Sequence, residues 1–314
     1  MIGSDYCFDM GYEAPVGFVE ELNRSANERK MILGTTAAEL LKLDGRGRRP
    51  SWCERRDVKA IGARGCPCAH AAPRFCFMRL PSPLVRGTLI ERYKRFLADV
   101  RLDDGRIVTA SCPNTGSMLG LAVPGAMVWL SESHNPTRKY RHTWELVEAD
   151  LGAGPTLVGI NTGHPNKLVA EALQASRVKA LAGYPSFRRE VKYGRNSRID
   201  LLLECADKGL CYVEIKNVHL SRRQGLAEFP DAITDRGAKH LAELSDMVRA
   251  GHRAVMVFLI QRGDAKRLAL ARDVDPAYGD AFDTALAAGV EAIALRCRMS
   301  PEEIVIDRPV PIVG

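Results

Sequence analysis

Two segments of the sequence bring acids and a lysine into a pattern suited to phosphate chemistry. One reads Arg198-Ile199-Asp200-Leu201-Leu202-Leu203, the other Cys211-Tyr212-Val213-Glu214-Ile215-Lys216. Each acid, Asp200 and Glu214, sits in a short apolar run of the kind that forms a strand. The spacing between them suffices for a hairpin that sets the two carboxylates side by side. Side chains alternate along a strand, so Glu214 and Lys216 share a face. Paired carboxylates repel unless something positive lies between them. Mg²⁺ (or Mn²⁺) answers that need, because such an ion takes oxygen ligands, uses one or two carboxylates and keeps water and phosphate oxygens for the rest. The carbonyl of Ile215 and the carboxylate of Glu171, on the preceding helix, would extend the ligand set. Lys216 would orient the attacking water or stabilise charge developing on the phosphate. The acid-x-Lys triplet alone is weak, since it occurs five times, at Glu28, Asp57, Glu190, Glu214 and Asp264. A surface salt bridge explains it as readily.

The elements that must position these residues follow from periodicity. Leu84–Tyr93, Phe96–Leu102, Arg106–Ser111, Ala126–Ser131 and Thr143–Glu148 read as short strands. Asp103-Asp104-Gly105 between the second and third is a hairpin signal. Five such strands predict a small OB-like β-barrel over residues 78–153. Over 154–314 the pattern turns mixed. Helices are expected at Asn166–Lys179, Thr234–Ala250 and Ala277–Ala288. Strands are expected at Phe187–Tyr193, Ile199–Glu204, Leu210–Ile215, Arg253–Ile260 and Glu291–Cys297. That order predicts a central mixed sheet flanked by helices.

Residues 1–77 read differently, as a disordered extension or an upstream stretch outside the fold, with helical periodicity only over Glu20–Leu43. A zinc site on Cys53, Cys66, Cys68 and His70 is disfavoured, because Cys-x-Cys lacks the usual gap of structural zinc sites. The nine cysteines are scattered and odd in number. With no export signal at the N-terminus, this argues against a disulfide framework and for the cytoplasm. Cys205 and Cys211 read as buried thiols. No apolar run approaches the ~18–20 residues of a membrane helix.

A net charge of +7 permits a polyanionic partner without proving one. Basic residues interleave with aromatics at Arg92, Lys94 and Arg95, beside Tyr93 and Phe96. They do so again at Arg138, Lys139 and Arg141, around Tyr140. Such runs suit phosphates and stacked bases. Arg188, Arg189 and Lys192 flank the proposed metal site and would hold the scissile strand. Asn114-Thr115-Gly116-Ser117 offers backbone N–H groups to an anion, or is an ordinary tight turn. On the helix beyond the site, Arg236, Lys239 and His240 follow, with His240 expected on its surface.

Several longer segments resemble the sugar fermentation stimulation proteins of bacteria and archaea. They are Gly87-Thr88-Leu89-Ile90-Glu91-Arg92-Tyr93-Lys94-Arg95-Phe96-Leu97-Ala98-Asp99-Val100, Cys112-Pro113-Asn114-Thr115-Gly116-Ser117-Met118, Asn135-Pro136-Thr137-Arg138-Lys139-Tyr140, Arg189-Glu190-Val191-Lys192-Tyr193-Gly194, Ser197-Arg198-Ile199-Asp200, Tyr212-Val213-Glu214-Ile215-Lys216-Asn217-Val218 and Phe229-Pro230-Asp231-Ala232. The resemblance runs from about Met78 to the C-terminus. It implies an OB-like domain followed by a restriction-endonuclease-like domain of the PD-(D/E)XK type, with Asp200, Glu214 and Lys216 at the metal site and Glu171 as the helix acid. It further implies DNA binding and an effect on maltose metabolism genes. Ile199 stands where the wider superfamily often has proline. Two functions compete: a Mg²⁺-dependent nuclease on DNA or RNA, and a non-catalytic DNA-binding regulator of sugar-utilisation genes. A carbohydrate enzyme is disfavoured, for no paired-carboxylate cleft is evident. A homodimer is open to the chain, and no membrane partner is expected.

Overall fold

The computed structural model describes residues 78–81, 83–194 and 197–314. The readings made on residues 1–77, including the cysteine cluster, lie outside them. The first strand, β1 (Met78–Arg79), joins the larger sheet described below. The next five are β2 (Val85–Tyr93), β3 (Leu97–Leu102), β4 (Ile107–Ser111), β5 (Met127–Glu132) and β6 (His142–Ala149). They follow the expected order and pair as β4-β3-β2-β5-β6. Parallel pairing of Ala110 with His142 and Ser111 with Thr143 closes the ring, making an OB-like barrel. Closure removes the open strand edges. Leu89, Val100, Val128, Leu130 and Trp144 fill the inside. Gly87 belongs there because a Cβ would lie 2.6 Å from Val100 Cγ1. β7 (Thr156–Gly159) pairs with the outer side of β6, so the barrel sheet extends past residue 153.

Residues beyond the barrel build a seven-stranded mixed sheet. α1 (Pro165–Gln174) enters first, followed by β8 (Ser186–Tyr193), β9 (Ser197–Cys205) and β10 (Gly209–Val218). α1 stops at Gln174 instead of running to Lys179, because Ser176 takes a left-handed φ of 54°. Next come β11 (Leu220–Arg223), β12 (Leu226–Phe229), α2 (Asp235–Arg249), β13 (Arg253–Ile260), β14 (Arg267–Leu270), α3 (Pro276–Ala287), β15 (Glu291–Met299), β16 (Glu303–Val310) and β17 (Ile312–Val313). The large sheet runs β1-β16-β15-β13-β10-β9-β8. Its centre is parallel, β10 to β13 to β15, which is why β13 is apolar along its length and buried on both faces. One face packs on α1 through Leu168, Val169, Val213 and Val257. The other packs on α2 and α3 through Leu241, Leu244, Met256, Phe258 and Phe282. The strands β11, β12, β14 and β17 form a small side sheet. Cys211 is buried as expected, whereas Cys205 is half-buried.

The Asn114–Met118 turn of the barrel meets the connection between β12 and α2. One of its N–H groups receives an anion from the same chain, while the Gly116 N–H donates to Asn114 Oδ1. Met118 N–H donates to Asp231 Oδ2 at 3.3 Å, and Ser117 Oγ donates to the Asp231 carbonyl at 2.7 Å. A Cβ on Gly116 would lie 2.8 Å from Asp231 Oδ2. The buried side of Asp231 raises its pKa, yet His219 and the Met118 N–H outweigh burial and hold it at about 2. A depressed acid contributes stability above its unfolded pKa and loses it as pH falls through the folded value. Asp231→Asn is therefore expected to cost about 2 kcal/mol at neutral pH. The difference from wild type should shrink between pH 4 and pH 2 in urea melts, and a constant gap over that range would refute the assignment.

Candidate metal centre

Asp200 and Glu214 come together because β9 and β10 part company. Their antiparallel ladder runs from Gly209–Cys205 to Val213–Leu201 and ends there. The next register position pairs Glu214 with Asp200. With the ladder broken, the Ile215 N–H loses its strand partner, and Asp200 Oδ2 accepts it at 2.7 Å. The carboxylate thus replaces a main-chain acceptor, which a buried N–H requires. Asp200 Oδ1 accepts from Asn166 Nδ2, in the first turn of α1, at 2.7 Å.

A backbone irregularity on the other side of β9 aims Asp200. Register continues from Arg189–Leu201 to Val191–Ile199, which sets Glu190 opposite Asp200. Glu190 has φ 51°. Leu201 and Leu203 face the α1 side of the sheet, whereas Ile199 and Tyr193 face the α2 side. Alternation is therefore reset at this level, as irregularities beside functional sites often do. Asn166 Nδ2 also donates to Glu190 Oε1 at 3.3 Å.

Glu214 is 3 % exposed. Its Oε1 accepts from Lys216 Nζ at 2.8 Å and contacts His240 Nδ1. Its Oε2 is buried with no hydrogen-bond partner. Burial raises the Glu214 pKa, but the His240 and Lys216 donors overcome it and the net shift is downward. Asp200 goes the other way. Burial first, then the charge of Glu214, push it up to about 7, against the lowering effect of the Ile215 N–H and Asn166. Buried Tyr193, whose hydroxyl lacks a partner, is raised by burial and by the charges of Glu214, Glu243 and Asp200. A partnerless carboxylate oxygen beside a second buried carboxylate is an excess of negative charge that a cation would offset. Among the described residues no three His, Cys, Asp or Glu side chains group to hold a metal unaided. Two carboxylates and a carbonyl nonetheless fit Mg²⁺, which keeps several waters.

Asp200, Glu214, Ile215 and Lys216 are thus together, as expected. Glu171 is elsewhere. It lines a small cavity with Met78, Leu168, Arg177, Ile304 and Ile306, towards the β16 edge of the sheet. Five residues separate it from Asn166, which turns it about 140° around the helix. Asn166 holds the place assigned to it. His240 is buried, not on the helix surface. The sequence carried that signal: His240 lies one turn from Leu244 on the apolar stripe of α2.

Among the basic residues, Arg92 is committed internally. Its guanidinium donates to the carbonyls of Arg95, Asn114, Gly116 and Ser117, so it staples the Asn114–Ser117 turn. Arg188 pairs with Glu204 at 2.7 Å, and Arg141 with Glu132 at 3.2 Å. Arg138 donates to Thr143 Oγ1 at 2.8 Å, and Lys139 sits over the Tyr140 ring. Lys94 and Arg95 form the exposed β2–β3 tip, both at positive φ. Arg189 and Lys192 are exposed on β8, flanking Glu190.

Known proteins agree with this architecture. Residues 90–160 match the family model described as the SfsA N-terminal OB domain, and residues 163–303 match the sugar fermentation stimulation protein RE domain. A sugar fermentation stimulation protein homolog of Rhizobium meliloti is 59 % identical over 242 residues, covering 75 % of this chain and all of that protein. A homolog from Azorhizobium caulinodans is 60 % identical over 237 residues, covering 76 % of this chain and all of that protein. The solved structure of Pyrococcus furiosus SfsA in complex with Ca²⁺ aligns with TM-score 0.67 and 28 % identity, over 76 % of this chain and 99 % of that one. An OB-like barrel ahead of a restriction-endonuclease-like sheet, with identities this high over whole relatives, places the chain in the sugar fermentation stimulation protein family.

Proposed function

We propose that this protein binds DNA or RNA and hydrolyses a phosphodiester bond with a divalent cation, Mg²⁺ or Mn²⁺, held by Asp200, Glu214 and the Ile215 carbonyl. The observation that carries it is the pair of buried carboxylates at the splay of β9 and β10, one with a partnerless oxygen, beside a lysine. A cation there supplies Lewis acidity to a phosphate oxygen. Lys216, anchored on Glu214 Oε1, offers its remaining protons to the attacking water or to the charged phosphate. Asn166 keeps Asp200 turned into the pocket. Arg189 and Lys192, exposed on β8, supply phosphate contacts next to the site, and Lys94, Arg95, Arg138 and Lys139 supply more distant ones on the barrel. The Ca²⁺ complex of the Pyrococcus furiosus relative supports a hard divalent cation with oxygen ligands.

The test is cleavage of end-labelled single- and double-stranded DNA and RNA by the purified chain. Products are expected with Mg²⁺ or Mn²⁺ and none with a chelator. Binding should weaken with salt, and Arg189→Ala with Lys192→Ala should lower the log–log salt slope by roughly 1–2. Binding that persists with no product under any metal would sink the nuclease reading and leave a DNA-binding regulator.

A further inference from the structure

His240 approaches the Glu214–Lys216 pair from the opposite side to Asp200, on a helix whose position is fixed independently. The Thr234 hydroxyl caps α2 by accepting the Gly237 N–H at 3.0 Å, and the Thr234 N–H donates to Asp275 Oδ2, at the start of α3, at 2.8 Å. Gly237 packs so tightly that a Cβ would lie 2.9 Å from the Tyr278 ring. One turn later, the His240 imidazole reaches the strand β10.

Donor and acceptor identities fix its tautomer. Arg236 Nε donates to His240 Nε2 at 3.4 Å. A guanidinium can only donate, so Nε2 is the acceptor and the proton sits on Nδ1. Nδ1–H then donates to Glu214 Oε1. The 3.2 Å between Lys216 Nζ and His240 Nδ1 is accordingly two donors converging on one oxygen. Oε1 receives both, and Oε2 receives no hydrogen bond although it is buried.

We infer that His240 is a positioning residue for the metal centre: by occupying Glu214 Oε1 together with Lys216, it turns Oε2 toward the cation. This inference rests on the cation reading given above. The imidazole acts through Glu214 and touches neither cation nor substrate. Residues that orient a ligand in this way change metal affinity by about 10–100-fold when removed.

Calorimetric titration of Mn²⁺ into the full-length chain tests it, with folding of each variant checked by circular dichroism. The set is wild type, Asp200→Ala, His240→Ala, His240→Asn and His240→Gln. His240→Ala is expected to bind Mn²⁺ about tenfold more weakly than wild type, or worse. The amide nitrogen of His240→Asn can reach the place of Nδ1 and should recover most of that loss. The longer His240→Gln places its amide near Nε2 and should not recover it. Should the alanine variant fail to fold, the Asn and Gln variants decide between them. Equal Mn²⁺ affinity in wild type and all three His240 variants, with Asp200→Ala weakened, overturns the role of His240 and leaves the cation site standing. Wild type binding no tighter than Asp200→Ala overturns the cation site and the inference with it.

Discussion

Asp200→Asn is expected to reduce metal-dependent cleavage by about a thousandfold or more and, in the same protein, to stabilise the metal-free fold. The first effect follows from the loss of one of two carboxylates. A bound cation contributes several kcal/mol of charge stabilisation, and each 1.36 kcal/mol is a factor of ten in rate. The second follows from the pKa. Asp200 is pushed up to about 7 by burial and by Glu214. A raised acid leaves stability intact below its unfolded pKa near 4 and removes it progressively as pH climbs towards 7. The asparagine keeps an oxygen for the Ile215 N–H without the buried charge. In chelator, the variant should therefore match wild type at pH 4 and exceed it at pH 8 by roughly 2–4 kcal/mol. The opposed effects separate a site built for a cation from a structural ion pair, because removing one partner of a structural pair destabilises. A variant less stable than wild type at pH 8 in chelator, or one still cleaving at wild-type rate, would defeat the assignment.

Phe258→Ala is expected to cost about 4 kcal/mol and to lower the melting temperature by on the order of 10 °C. Phe258 lies on β13 at the centre of the large sheet and is fully buried. Its ring is 5.5 Å from that of Phe229 and 5.8 Å from that of Phe282, tilted at 60° and 62°. Such pairs add about 0.5–1.5 kcal/mol each beyond burial. Phe258 is also the parallel partner of Lys216, so the cavity opens beside the site on the same face of the sheet. Phe258→Leu should recover more than half of the loss. Urea unfolding with an unchanged slope is the measurement, and a cost below 1 kcal/mol would contradict the packing described.

Most long elements were legible from a single period, and β13 from its unbroken apolar run. Strand alternation and the Asp103-Asp104-Gly105 turn marked the barrel, and Leu241, Leu244 and Val248 marked α2. The strands that escaped notice, β1, β7, β11, β12, β14 and β17, are two to four residues long. Segments so short hold no full period, and only their partners make them strands. β16 is longer, but Asp307, Arg308 and Pro309 interrupt its apolar pattern on exposed positions. At the site, Asp200, Glu214 and Lys216 were visible as acids and an amine within apolar strands. Glu171 was misplaced because its position around α1 depends on how that helix sits on the sheet. Arg92 read as a surface cation, since nothing local reveals that the carbonyls of Asn114, Gly116 and Ser117 converge on it. The Asn114–Ser117 turn read equally as an anion receptor or a tight turn; its partner Asp231, met by the Ser117 hydroxyl and the Met118 N–H, lies more than a hundred residues away in the chain.

That last contact has a geometrical outcome for the barrel. Ser117 and Met118 grip Asp231 from the barrel, and Thr162 donates twice to the Pro113 carbonyl, at 2.7 and 3.2 Å. Two latches across one joint leave the barrel little freedom to swing. The exposed Lys94 and Arg95 at the barrel tip therefore keep a constant distance from the Asp200–Glu214 pair.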